Sequence, residues 1–290
     1  MTALEGPGLP QLLTGLCDDA AVFPPGLAPL SEAVRHYCDR RDSWFVALVG
    51  PLVLPDKLVR GLKGLIPSGV TVPLSMTLPG GPVGLPKACA AVTSLPVDLQ
   101  SVEVAVANES DAVDAVIALA DESGDLDVYV EIPRDDRAPS VLDAVSEHGL
   151  RAKFRTGGVR AEFYPDEAEL AASVAAAVRV GVAYKATAGL HHAVRNTDPD
   201  TGFEQHGFLN VLLATATLLD GGDENDARAV LADRDGPGLA ARLRDLTPGI
   251  ATAARAAFTS FGTCSITEPL AELVELGLVA VPHHREGALQ

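Results

Sequence analysis

Residues 151–187 read RAKFRTGGVRAEFYPDEAELAASVAAAVRVGVAYKAT and contain two strand patterns separated by a helix pattern. The run 151–155 is short and is followed by Thr156 and two glycines, which is typical of a strand end. Residues 165–181 have helical periodicity and end at Gly181, a usual residue after a helix. A second apolar run follows at 182–187. This segment therefore predicts a β–α–β unit, which joins parallel strands.

The same alternation of strand and helix continues in both directions along the chain. We predict eight strands, at residues 20–23, 44–49, 70–76, 101–107, 127–132, 151–155, 182–187 and 259–264. Eight such units in one uninterrupted run favour an α/β fold, a (β/α)8 TIM barrel, as a single domain over residues 1–290. A doubly wound open sheet is the alternative. It normally carries a glycine-rich phosphate loop after its first strand, and the PPGLAP that follows Phe23 does not match that pattern.

The connection between the seventh and eighth predicted strands is unusually long. Residues 198–258 add about two helical patterns around the seventh helix. Glycines and Pro237 interrupt this segment, so it is not one continuous helix. We predict a helical insertion here. It could act as a lid over the barrel, or it could be a packing or dimer element, so homo-oligomerisation stays open.

Composition excludes several classes of function. The chain has 290 residues, is 47% hydrophobic and has a formal net charge of −17. Nucleic acids and anionic membranes both attract a basic surface, so neither is an expected partner. No apolar run approaches the ~20 residues of a membrane span, and no secretory signal is recognisable. The four cysteines show no CxxC spacing, and we expect a cytoplasmic protein.

Polar residues stand at the ends of the fourth to seventh predicted strands. In (β/α)8 barrels these strand ends carry the active site. The residues are Glu103, Glu131, Lys153, Arg155, Lys185 and Thr187. We therefore expect the functional site to be built from them.

The two lysines in this set are informative, because the chain has only five lysines among its 22 basic residues. A buried ammonium either pairs with an acid or loses its proton. Lys153 and Lys185 could therefore include a catalytic amine whose pKa is lowered by its neighbour. They could instead form a structural salt-bridge layer with Glu131 and Glu103, or hold a phosphate or carboxylate.

The loop after the seventh strand supplies further polar side chains. His191, His192 and Arg195 are candidate ligands for an anionic substrate, and the histidines are also candidate proton shuttles or residues of a helix start. Adjacent histidines do not match the spacing of common metal sites. A metal held with Glu131 or His206 is the less favoured reading, and we predict neither metal nor cofactor.

Five short motifs resemble the class I deoxyribose-phosphate aldolases. KFRTG from Lys153 is similar to the family's KTSTG, and KATAG from Lys185 is similar to its KASGG. VEV around Glu103 and VYVE at Glu131 resemble the family's fourth and fifth strands. DDAAVF with Asp19 resembles its opening DHT, so Asp19 is a further candidate substrate ligand.

This resemblance implies that Lys153 forms an imine, that Lys185 lowers its pKa, and that Glu103 transfers protons. Arg155 stands where the family has a small residue, and AGLHH replaces its phosphate-binding turn. We therefore predict a metal-independent aldolase or lyase that acts on a small carbonyl substrate carrying a phosphate or carboxylate. The alternatives are a phosphoribosyltransferase-like barrel, in which the basic residues clamp an anion, and a non-catalytic small-molecule binding barrel.

Overall fold

Eight parallel strands close into a barrel, which confirms the predicted (β/α)8 TIM-barrel fold. The computed structural model describes residues 10–106 and 111–282. The strands are β1 Cys17–Asp19, β2 Val49–Pro55, β3 Val72–Leu78, β4 Val97–Ala105, β5 Asp127–Glu131, β6 Arg151–Arg155, β7 Tyr184–Thr187, β8 Asn196–Thr197, β9 Glu204–Gln205 and β10 Phe258–Thr263. The order around the barrel is β1-β10-β7-β6-β5-β4-β3-β2, and β8 and β9 form a separate antiparallel pair.

Helices surround this barrel and follow the strands in chain order. They are α1 Leu30–Asp39, α2 Asp56–Val59, α3 Leu85–Val92, α4 Ala112–Ser123, α5 Ala138–Glu147, α6 Glu167–Val180, α7 Phe208–Leu219, α8 Glu224–Ala232, α9 Gly236–Arg244, α10 Pro248–Ala257 and α11 Thr267–Glu275. None of them, within the described residues, has the length and apolar character needed to cross a bilayer.

The β6–α6–β7 unit shows how the sequence produces this layering. In β6, Phe154 points outward and contacts the ring of Tyr184 on β7 at 5.2 Å between centroids. The alternate residue, Lys153, points into the barrel, because successive side chains of a strand face opposite sides. Asp166 caps α6 by accepting a hydrogen bond from the Glu169 backbone N–H at 2.8 Å. The apolar core therefore lies between strands and helices, and the barrel interior is polar.

Strand bounds differ from the prediction, most of all for β1 and β2. In addition, β4 begins at Val97 rather than at residue 101, and the predicted end of that strand at residue 107 lies outside the described residues. β1 is Cys17–Asp19 rather than 20–23, and β2 is Val49–Pro55 rather than 44–49. β1 contains two aspartates, so hydrophobic periodicity does not reveal it. β2 contains Pro51 and Pro55, and proline is usually a sign that a strand has ended.

The insertion between β7 and β10 packs on the flank of the barrel. Residues 208–216 of α7 are all buried, because α7 lies between the barrel and the helices α8, α9 and α10. α8 contacts both α6 and α7. Residues 236–257 form two helices, α9 and α10, because Thr247 caps a new helix and Pro248 lacks the N–H needed to continue the old one.

A stacked pair of rings joins the barrel to α7. Phe261 of β10 is fully buried and stacks on Phe208 of α7, with 4.6 Å between ring centroids. We expect Phe261→Ala to lower the free energy of unfolding by about 3–5 kcal/mol, since it removes buried contacts and leaves a cavity. Urea unfolding measures the loss. Val83→Ala is the matched control, because Val83 is 92% exposed and its truncation should change stability by less than about 0.5 kcal/mol. Equal losses for the two variants would contradict this account.

Candidate active site

The carboxyl ends of β5, β6 and β7 bring three predicted site residues into register. Glu131 pairs with Lys153 across β5 and β6, and Lys153 pairs with Lys185 across β6 and β7. Residues in register on parallel strands point to the same side of the sheet, here the barrel interior. The two lysines are therefore neighbours inside the barrel.

Lys185 is the deeper of the two amines. Its Nζ donates to Asp18 Oδ2 at 2.5 Å and to Glu103 Oε1 at 2.7 Å, and its side chain is 1% exposed. It also lies over the ring of Tyr129, with 5.1 Å from Nζ to the ring centroid. Lys185 is thus a fully buried cation between two acids.

Lys153 contacts the other oxygen of the same glutamate. Its Nζ lies 3.2 Å from Glu103 Oε2 and 3.1 Å from Glu131 Oε2. Glu131 also contacts Arg155, with 3.1 Å between Glu131 Oε1 and Arg155 Nε. Each cation here therefore touches at least one carboxylate.

These contacts form one continuous series of alternating charges, which we call the charge ladder: Asp18, Lys185, Glu103, Lys153, Glu131 and Arg155. It contains three acids and three cations. Side-chain exposure is 2% at Asp18, 9% at Lys153 and 38% at Arg155. The ladder therefore runs from the dry interior to the barrel mouth, by which we mean the carboxyl ends of the strands.

Hydroxyl groups support the two buried acids. Ser260 Oγ donates to Asp18 Oδ2 at 2.8 Å, and Ser75 Oγ donates to Glu103 Oε1 at 3.1 Å. Ser101 Oγ donates in turn to Ser75 at 2.8 Å. Asp18 Oδ1 has no hydrogen-bond partner among the described residues and lies against Gly50, where a Cβ would be 2.2 Å from this oxygen. Gly50 is therefore needed for this close approach.

The ladder shifts the pKa values of Glu103 and Lys185. Burial alone would raise the pKa of Glu103, but Lys185 and Lys153 outweigh it and lower that pKa to about 2. Burial alone would lower the pKa of Lys185, but Asp18 and Glu103 outweigh it and raise that pKa well above its ordinary value. The expectation that crowding of the two amines lowers the pKa of each is therefore wrong for Lys185, which stays charged.

Asp18 and Asp19 face opposite sides of β1. Asp18 joins the ladder, whereas Asp19 pairs with Arg40 outside the barrel and accepts a hydrogen bond from the Ala21 N–H at 3.1 Å. The predicted ligand Asp19 is therefore not part of the ladder. Sequence reasoning missed Asp18, together with Ser75, Ser101 and Ser260. The adjacent acids Asp18 and Asp19 are a signal in the sequence, but they indicate Asp18 only when the bounds of β1 are known.

The loop after β7 is held by protein groups. His192 Nδ1 contacts Glu272 Oε1 at 2.5 Å, and the Ala193 N–H donates to the other oxygen of Glu272. The hydrogen bond to Glu272 raises the pKa of His192. His191 Nδ1 lies 3.6 Å from Cys264 Sγ, and burial lowers the pKa of His191. Both histidines are therefore near the mouth but outside the ladder.

The remaining predicted ligands differ in position. Thr187 ends β7 two residues after Lys185, and so lies on the same inner face at the mouth. Arg195 is buried and contacts Glu167 at 2.7 Å and Glu204 at 3.1 Å, which ties β9 to α6. Arg195 therefore serves the packing of the insertion.

A cavity of about 550 Å³ opens at the mouth beside the end of the ladder. Glu131 and Arg155 line it, together with Phe163, Arg134 and Glu169. Arg134 is bound by Glu169, with 2.7 Å from its NH2 to Glu169 Oε2. A smaller cavity of about 280 Å³ lies at the opposite end of β6 and β7, away from the ladder.

The loops after β6 and β7 meet at the mouth of the barrel. A Cβ at Gly157 would lie 2.7 Å from the ring of Tyr164 and 2.8 Å from the Cα of Gly189. Gly189 also has a left-handed backbone, with φ of +74°. Both glycines are required for this contact.

Fold and site together define a (β/α)8 barrel with a buried lysine–carboxylate cluster that opens at the usual catalytic end. Across residues 10–106 and 111–282, no group of three or more His, Cys, Asp or Glu side chains is arranged to hold a metal ion. Comparison with protein-family models and with curated proteins finds no match to the chain.

We expect Glu103→Gln to lower the free energy of unfolding at pH 7 by about 3–5 kcal/mol, because two buried ammonium groups lose the carboxylate they share. The pKa of Glu103 in the folded protein, about 2, is below its ordinary value of 4.5. Its charge therefore stabilises the fold above pH 4.5, and this contribution disappears as the pH falls toward 2. The cost of the substitution should consequently be smaller at pH 3 than at pH 7, as measured by urea unfolding.

Glu32→Gln is the control for this comparison. Glu32 is exposed on α1, and its substitution should cost less than about 0.5 kcal/mol at either pH. A cost of Glu103→Gln that is the same at pH 7 and pH 3 would show that the charge of Glu103 contributes nothing to stability.

Proposed function

We propose that the protein is a metal-independent lyase of the class I aldolase type, which forms an imine between Lys153 and a small carbonyl substrate. One observation carries the proposal: the Lys153 ammonium lies between two carboxylates, 3.2 Å from Glu103 and 3.1 Å from Glu131, and Glu131 also lines the open cavity. Lys153 is also more exposed than Lys185, at 9% against 1%.

The charge balance of the ladder favours an iminium ion at this position. Three acids oppose three cations, so removal of the charge on Lys153 alone would leave an excess of buried negative charge. A protonated imine carries the same single positive charge on the same nitrogen. Glu103 and Glu131 therefore stabilise the intermediate as they stabilise the free ammonium.

The reaction then proceeds with groups of the ladder. The Lys153 ammonium gives a proton to Glu131, and the neutral amine adds to the carbonyl carbon to form a carbinolamine. Glu131 returns its proton to the hydroxyl of the carbinolamine, which leaves as water and gives the iminium ion. A base then removes the proton of the hydroxyl on the carbon β to the iminium carbon. The carbon–carbon bond breaks, the fragment that carried this hydroxyl leaves as an aldehyde or ketone, and the bond's electrons move to the nitrogen to give an enamine, which is protonated and hydrolysed. Glu131 is the acid or base at the mouth for these proton transfers.

Lys185 has an electrostatic role in this proposal. Asp18 and Glu103 raise its pKa, so it remains protonated at neutral pH. It therefore keeps Glu103 ionised and fixes its orientation beside Lys153. Lys185 acts as a permanent cation and not as a second nucleophile.

The contacts of the lysines favour imine chemistry over the use of both lysines as an anion clamp. Lys153 and Lys185 each contact two carboxylates, and a bound phosphate would have to compete with these acids. A phosphoribosyltransferase-like role or a non-catalytic binding role would leave both amines unmodified, so these alternatives are outcomes of the experiment below.

We expect borohydride reduction in the presence of a panel of small aldehydes and ketones to add mass to the peptide that contains Lys153. The imine is reduced to a stable secondary amine, which mass spectrometry locates. Lys153→Arg should abolish the adduct, because arginine keeps a cation between Glu103 and Glu131 but cannot form the imine.

Lys57→Met is the matched control, because Lys57 is exposed on α2 and its loss should leave the adduct at Lys153 unchanged. Circular dichroism checks that Lys153→Arg is folded. The proposal fails if no probe gives an adduct in the unsubstituted protein, or if the adduct persists in Lys153→Arg.

A further inference from the structure

We infer that the substrate is a short oxo acid whose carboxylate binds Arg155 in the mouth cavity while its carbonyl reaches Lys153. This inference rests on the imine chemistry proposed above and specifies the anionic group of the substrate. It selects a carboxylate, whereas the sequence alone left phosphate and carboxylate equally open.

Arg155 has hydrogen-bonding capacity directed at the cavity. Its Nε contacts Glu131, and its guanidinium carbon lies 5.8 Å from the centroid of the Phe163 ring, which limits its orientation. Its two terminal amino groups have no acceptor within the described part of the chain. The side chain is 38% exposed and lines the 550 Å³ cavity. A carboxylate accepts two parallel hydrogen bonds from such a guanidinium.

The charges at the outer end of the ladder also favour a substrate anion that carries a single negative charge. Acids and cations alternate along the ladder, and its last member at the mouth is the cation Arg155. A substrate carboxylate adds one negative charge beside Arg155 and so continues the alternation. A phosphate dianion would add two charges to a cavity whose four acids already outnumber its three arginines; these residues are Glu131, Asp135, Glu162 and Glu169, with Arg134, Arg137 and Arg155.

At the position that barrels commonly use for phosphate, three backbone N–H groups already donate to acceptors within the protein. That position is formed by the loops after the seventh and eighth barrel strands, here β7 and β10. The Ala193 N–H donates to Glu272, so a carboxylate of α11 occupies the first loop. In the second loop, the N–H groups of Ser265 and Glu268 donate to hydroxyls of Thr263 and Ser265, both at 3.3 Å.

The distance between Lys153 and Arg155 limits the substrate to a few carbon atoms. Lys153 and Arg155 are two residues apart on one face of β6, which corresponds to about 6.6 Å along the strand. Both side chains are long and point into the barrel. A carbonyl on Lys153 and a carboxylate on Arg155 therefore fit within one short molecule.

The test is borohydride trapping with matched probes. The oxo acids are pyruvate and 4-oxobutanoate, their uncharged counterparts are pyruvamide and butanal, and glyceraldehyde 3-phosphate represents phosphorylated substrates. In the unsubstituted protein we expect at least one oxo acid to modify Lys153 about tenfold more efficiently than its counterpart and than the phosphorylated probe. Arg155→Met should remove most of this preference, and Arg155→Lys should restore part of it.

Arg160→Met is the control variant, because Arg160 is an exposed arginine after β6 that does not line the cavity, and the preference should be unchanged. Adducts without a preference for the oxo acid, or a preference that survives in Arg155→Met, overturn the inference and leave the imine chemistry standing. A preference for the phosphorylated probe also overturns it. No adduct with any probe overturns both proposals.

Discussion

Two ammonium groups inside one barrel impose the constraint on which the site depends. Lys153 and Lys185 lie in register on neighbouring strands, and a buried cation without an acid is too costly to retain. Glu103 resolves the conflict by offering one oxygen to each lysine. Asp18 and Glu131 supply the remaining negative charge on either side. Removing any one of these groups leaves a neighbour uncompensated, so the members act as a unit and single substitutions should not be additive.

The exposure of the side chains to solvent increases along the ladder, from Asp18 to Arg155. The deep end, at Asp18 and Lys185, is nearly inaccessible to water and fixes the charge state of Glu103. The outer end, at Glu131 and Arg155, meets the cavity. Lys153 lies between these regions, and its side chain is 9% exposed against 1% for Lys185. The ladder thus places two chemically identical side chains in different environments.

The sequence predicts the barrel and most of the ladder, because Glu103, Glu131, Lys153 and Lys185 stand at the ends of recognisable strands. It does not predict Asp18, because β1 consists of Cys17 and two aspartates and lacks apolar alternation. The resemblance of DDAAVF to a family motif selected Asp19 instead, which faces the other way. Hydrogen bonds from serines also escape prediction, since an isolated serine in an apolar strand carries no signal of its partner. Local sequence patterns reveal where strands end, whereas the hydrogen-bond and ion-pair partners across the barrel are known only from the three-dimensional structure.

The burial of α7 has a consequence for any attempt to shorten this chain. Its residues 208–216 contact neighbours on all sides, and the outer contacts come from the inserted helices. A truncation that removed α8 to α10 would leave a long apolar helix facing water. Such a variant would be prone to aggregate. The inserted helices have therefore become indispensable to solubility, and a minimal barrel based on this chain would first need a new polar outer surface on α7.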